Sequence, residues 1–185
     1  MNKLFLICIL IVSAAICAAA QNKPFSSIDN FLAKNGGDFN NREEIVKLFN
    51  EERVALGKDF EPQLWKYLGT DVEKHYWISS FLDWKEYLQG NQPLPELSFK
   101  IKKRGVKLIG DAQDEVKLGE KITFLRDLAV ASYKAGNQKR AIKFKRQAAP
   151  LYEKYDDIGA YIGATSEFEN CIYDNLEKDP GICKQ

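Results

Sequence analysis

Two apolar stripes that meet at Ala135-Gly136-Asn137 constrain this chain more than any other feature. Upstream, Ile122, Leu125, Ala129 and Tyr133 recur at helical spacing, with Leu128 and Ser132 on the neighbouring line. Downstream, Ala141, Phe144, Ala148 and Tyr152 share one face. The spacing predicts two antiparallel helices, the first from about Lys121 to Ala135. Gly136 can adopt the left-handed conformation that ends a helix, and Asn137 can cap the next one. Pro150 lacks a backbone donor, so the second helix is expected to end or kink near Ala149. Ala129 and Ala141 would let the two backbones approach closely, with Leu125 and Leu128 filling the space around them.

Leu128, Ala129, Gly136, Ala141 and Ala148 fall where the tetratricopeptide repeat places a large residue, a small residue, a turn glycine and two alanines seven apart. The segment from about 122 to 150 therefore resembles one repeat of that family. The resemblance implies an all-α chain of stacked antiparallel helical hairpins, an α–α superhelix, that binds peptides or proteins. It implies no catalysis.

Met1 to Ala20 has the form of a secretory signal peptide: Lys3 first, an apolar run from Leu4 to Ile16, then Ala18-Ala19-Ala20. Cleavage is expected after Ala20, with an uncleaved anchor as the alternative, and the location is expected to be secreted or periplasmic. No other segment has the length and apolarity of a membrane span, so no stable membrane insertion is expected after cleavage. Residues 21–185 suffice for a single helical domain with its own core. One of the 27 basic residues, Lys3, lies in the leader, so the rest balances 26 acids. That balance does not suit a nucleic-acid binder. Cys171 and Cys183 follow the leader. In an oxidising compartment they suggest a disulfide, two free thiols being the alternative.

The intervening chain reads as further helices. Gln21 to Phe25 looks like a loose lead-in, after which Ser26 or Ser27 can cap a helix carrying Ile28, Phe31 and Leu32. Asn41 and Glu44 open a second, with Ile45, Leu48 and Phe49, closed by Gly57. Pro62 starts a third, stopped by Gly69. Thr70 with Glu73 would cap a fourth, whose stripe is Trp77, Phe81, Trp84 and Leu88, widened by Ile78 and Leu82. Gly90 to Pro95 is the clearest break and could separate two subdomains. From Leu94 to Leu108 both strand and helix patterns fit; the helical flanks favour helix. Asp157 would cap a final helix ending at Asp179-Pro180-Gly181.

Chemistry-bearing patterns are sparse. His75 is the single histidine, and Asp71, four residues earlier, can share its helix face. Glu43-Glu44, Glu51-Glu52 and Asp156-Asp157 are acid pairs of the kind that dot helix surfaces. No metal-binding, phosphate-loop or nucleophile motif is present, and no cofactor is expected. Charge is more informative. Lys100, Lys102, Lys103, Arg104 and Lys107 cluster, as do Lys139, Arg140, Lys143, Lys145 and Arg146, whereas eight acids and two lysines lie between Glu153 and Asp179. A helix would align Lys139, Lys143 and Arg146. That stripe either pairs with the acidic C-terminal segment or, with Tyr133, receives an anionic partner. Tyr67, Tyr76, Tyr87 and Tyr161 can line a groove or pack in a core. The expected function is non-enzymatic binding of a protein or peptide partner. The alternative is a small secreted hydrolase using carboxylates, with or without His75.

Overall fold

The computed structural model describes residues 23–35, 42–83, 94–111, 114–154 and 167–183. The expected leader, residues 90–93 of the expected break, Asn41, Trp84, Tyr87, Leu88, Asp156, Asp157 and Tyr161 lie outside them. The described residues form helices and turns, with no strand among them. The chain divides into two compact units, Met1–Tyr67 and Leu68–Gln185.

The first unit contains α1 (Ser26–Asn35), α2 (Arg42–Leu56) and, after a single 3-10 turn, α3 (Phe60–Leu68), whose last residue falls in the second unit. Aromatic rings hold it together. Phe25 lies 6.3 Å from Phe49, 6.0 Å from Phe60 and 4.8 Å from Tyr67, and Phe49 meets Phe60 edge-on at 5.4 Å. Phe25 is thus no loose lead-in: it is fully buried. Its φ of 67° is left-handed, a conformation that costs a side-chain-bearing residue about 1–2 kcal/mol. The rings and a backbone bond from Phe25 N–H to Glu52 Oε1 (3.1 Å) hold it there. Ser27 Oγ donates to the same carboxylate, and Tyr67 Oη donates to Asp29 at 2.7 Å.

The second unit contains α4 (Val72–Asp83), α5 (Pro95–Ile109), α6 (Glu115–Lys134), α7 (Gln138–Lys154) and α8 (Glu167–Asn175), then a 3-10 turn at Pro180–Ile182. Asp71, not Thr70, caps α4: its carboxylate accepts from Lys74 N–H at 3.1 Å. Phe81, Ile78 and Leu82 are buried as expected, but Trp77 is half-buried, packs edge-on against Tyr76 and donates to Glu73. The ambiguous stretch is helical from Pro95 onward. Leu97, Ile101 and Gly105 line its inner side, and a Cβ on Gly105 would come within 2.4 Å of the Phe124 ring, so only glycine lets α5 and α6 approach this closely. Ser98 meets Ser79 while Arg104 reaches Gly69, so α4 and α5 run antiparallel.

α6 starts earlier than its apolar stripe predicts, because Asp114 caps it by accepting from Lys117 N–H at 3.0 Å. It ends as expected. Gly136 has φ 77°, Gly136 N–H donates to Tyr133 and Asn137 N–H to Ser132, which closes the helix through two paired turns. Asn137 then accepts from Arg140 N–H at 3.0 Å and starts α7. Leu128, Ala129, Ala141 and Ala148 are fully buried. Pro150 does not end α7, which continues to Lys154. The ring sits on the exposed side of the helix, where water can reach the Arg146 carbonyl that loses its donor.

Candidate functional site

The sequence-predicted stripe lies on α7, and its members have different fates. Lys139, Lys143 and Arg146 are all exposed. Arg146 Nε donates to Glu177 Oε1 at 2.8 Å, in the turn beyond α8. Lys139 and Lys143 make no ion pair among the described residues. Tyr133 is half-buried and packs against the cluster of Ala129, Val130, Ala141, Ile172, Tyr173 and Leu176, away from this stripe's exposed tips.

One flank of the α6–α7 pair is occupied by the acidic C-terminal segment. Lys134 Nζ pairs with Glu169 at 2.6 Å. Lys145 Nζ donates to the carbonyls of Tyr173 and Asp174 at 2.8 and 2.9 Å, satisfying oxygens at the C-terminal end of α8 that have no partner within the helix. Gln138 donates to the Leu176 carbonyl at 3.2 Å. The Cys171–Cys183 disulfide, with Cα atoms 5.7 Å apart, ties the tail back onto α8. Asp179 accepts from Gly181 N–H in the turn that makes this return possible.

Beneath this flank lies a cation–aromatic layer. Arg126 is buried, with its guanidinium carbon 5.8 Å from the Tyr173 ring centre, and the Tyr152 and Tyr173 rings lie 6.5 Å apart. Burial and the Tyr152 hydroxyl together hold the Tyr173 phenol well above the usual tyrosine range.

A second polar centre joins α4, α5 and α6. Lys102, one of the five clustered cations in this part of the sequence, is buried. Its ammonium lies 2.5 Å from Asp83 Oδ2 and 2.6 Å from Asp127 Oδ2. Burial disfavours the charge, but Asp127 and Asp83 outweigh it and keep the ammonium above its ordinary range. Two carboxylates thus share one cation. The sequence did carry a signal for it: Lys102 sits one residue from Ile101 and three from Gly105, on the inner side of α5, and Asp127 adjoins Leu128 on α6.

His75 is fully buried. Its Nδ1 lies 2.6 Å from the Asp71 carbonyl, and its Nε2 has no hydrogen-bond partner among the described residues. Burial is the main reason its pKa lies below the usual 6.5, with the Arg104 charge adding to the effect. The Asp71 carboxylate is engaged in capping α4, so the His75 contact goes to its backbone. Glu43, Glu44 and Glu51 are exposed on α2, Glu51 lying 4.0 Å from Lys47, while Glu52 braces Phe25.

Among the described residues, no group of three or more His, Cys, Asp or Glu side chains is placed to hold a metal ion. No helix among them is long and apolar enough to cross a membrane. No protein-family model matches the chain, and neither a curated protein nor a solved structure does.

Proposed function

We propose that this is an exported, non-enzymatic helical protein that binds a protein or peptide partner through the exposed basic side of α7. The observation that carries the reading is the state of that stripe. Lys139 and Lys143 stay exposed and unpaired among the described residues, while the neighbouring cations Lys134 and Arg146 hold carboxylates of the chain's own C-terminal segment. The same helix pair therefore already grips an acidic helical element on one flank. The close Ala129, Ala141 and Ala148 seam supports a tetratricopeptide-repeat-like hairpin stacked in an α–α superhelix. The Cys171–Cys183 bridge supports an oxidising location, secreted or periplasmic, consistent with the leader read at Met1 to Ala20.

The experiment is affinity capture from cell-envelope and culture fractions with crosslinking, followed by titration of the recovered partner against Lys139→Glu and Lys143→Glu. Recovery of a partner whose affinity falls in both variants supports the reading. Empty captures, or a partner bound equally well by both variants, would overturn it.

A further inference from the structure

We propose that α5 and α7 together form one docking face for an acidic peptide segment, centred on Arg140. This rests on the peptide-binding reading above and moves its centre away from the Lys139–Lys143–Arg146 stripe. The two basic clusters are separate in sequence but adjacent in the fold. Phe99 of α5 and Phe144 of α7 meet edge-on with ring centres 6.0 Å apart. Arg140 lies across them, its guanidinium carbon 3.9 Å from the Phe99 centroid and 6.0 Å from that of Phe144.

Contact with the Phe99 face restrains the Arg140 guanidinium while the residue stays exposed. A guanidinium held in this way can take a carboxylate in two parallel hydrogen bonds. Less side-chain entropy is lost on binding than for a free arginine. Lys103 and Lys107 on α5, and Lys139 and Lys143 on α7, are exposed and make no ion pair among the described residues. Acids on these two helices are confined to Glu96, in the first turn of α5, and Glu153, near the end of α7.

Direction adds to the field. Lys102 meets Asp127 and Gly105 meets Phe124, so α5 is antiparallel to α6, and the tight turn at Gly136 makes α7 antiparallel to α6 as well. α5 and α7 are therefore parallel, with the Phe99–Arg140–Phe144 cluster in the N-terminal half of each. Both helix dipoles present their positive ends on this side.

The occupant follows from charge complementarity and from the other flank of α7. There, an acidic helix and its following turn are held by Lys134–Glu169, Arg146–Glu177 and Lys145 on terminal carbonyls. The α5–α7 face offers the same groups, plus two half-buried rings, without a bound segment among the described residues. It fits an acidic segment of a partner protein that carries an apolar side chain for the rings.

The test is fluorescence anisotropy on the full chain with a labelled synthetic peptide of repeating Glu-Glu-Leu. Arg140→Glu is expected to weaken binding roughly tenfold or more, and Phe99→Ala by a few-fold. Lys117→Glu makes the same charge change on the first turn of α6, at the opposite end of that helix, and is expected to alter affinity less than about twofold. Circular dichroism checks that each variant folds. Equal losses in Arg140→Glu and Lys117→Glu would reduce the effect to net charge and overturn the assignment. So would equal binding of a leucine-free Glu peptide, tighter binding of anionic lipid vesicles or polyphosphate, or no binding of the Glu-Glu-Leu peptide to the unaltered chain. If the captured partner binds Arg140→Glu normally but loses Lys143→Glu, this inference fails and the broader reading stands. If no partner is captured at all, the broader reading fails first.

Discussion

The two units solve the same packing problem with different materials. Up to Tyr67 the contacts are ring against ring, and the chain accepts a left-handed Phe25 to bring a fourth ring into the group. From Leu68 onward apolar side chains still line the helices, but charge runs through the interior: Lys102 between Asp83 and Asp127, Arg126 against Tyr173, and His75 with an open nitrogen. An aromatic core tolerates small adjustments because dispersion and burial are non-directional. A charged core tolerates few, since each group depends on a particular partner.

That contrast can be broken most directly at Lys102. Lys102→Ala leaves two carboxylates facing each other and should cost about 3–5 kcal/mol in urea unfolding. Lys102→Met combined with Asp127→Leu should cost less than Lys102→Ala alone, because the more buried carboxylate leaves with the cation and Asp83, 38 % exposed, can be solvated. A loss below about 1 kcal/mol for Lys102→Ala would mean that water reaches the triad.

In the aromatic unit, Phe25→Ala should cost about 3–5 kcal/mol through the lost ring. Phe25→Gly should be the milder change by about 1 kcal/mol, since glycine adopts φ 67° freely. The reverse order in thermal or chemical denaturation would place the strain elsewhere.

A gentler probe of the second unit is pH. The folded pKa of His75 is depressed, so below the usual value of 6.5 the unfolded chain takes up a proton before the folded one does. Stability conferred by neutral His75 is complete above about pH 6.5 and falls as pH drops, by at most about 1.4 kcal/mol per unit, until the folded pKa is reached. His75→Leu should flatten that segment of the stability curve. An unchanged slope would show that other groups set it.

The smallest effect is expected at the surface. A double-mutant cycle on Arg146 and Glu177 should return a coupling under about 1 kcal/mol, because the pair is largely solvated. A larger value would extend the charge-dependent character of the interior to the outer flank.

The same contrast explains what could be read from the letters alone. Gly136 and Asn137 act as their chemistry dictates, because the turn needs a left-handed residue and then a cap, and both requirements are local. The helical state of the Leu94–Leu108 stretch came from its neighbours and the inner line of Leu97, Ile101 and Gly105. Phe25 carries no local signal, because its role depends on rings carried by α2 and α3, remote in sequence. Pro150 does not end its helix, because at an exposed position the Arg146 carbonyl that loses its donor is open to water. Lys102 stands in a cluster of five cations: such a cluster states charge, and only periodicity shows that one of them turns inward. The pairing of Phe99 with Arg140 and Phe144 had no local signal, since it depends on α5 and α7 lying side by side on α6.

The shared cation also bears on the order in which these helices can assemble. α4 and α6 touch where Tyr76 meets Phe124 at 5.8 Å, and each brings a carboxylate towards the same place. Without α5 between them, that meeting would force two negative charges together in poor solvent. With α5 present, either neighbour can dock first, because each partial assembly is neutral at the joint. Lys102 thus ties the contact between two helices that are not consecutive to the one that separates them: without it, one carboxylate would have to take up a proton or stay in water.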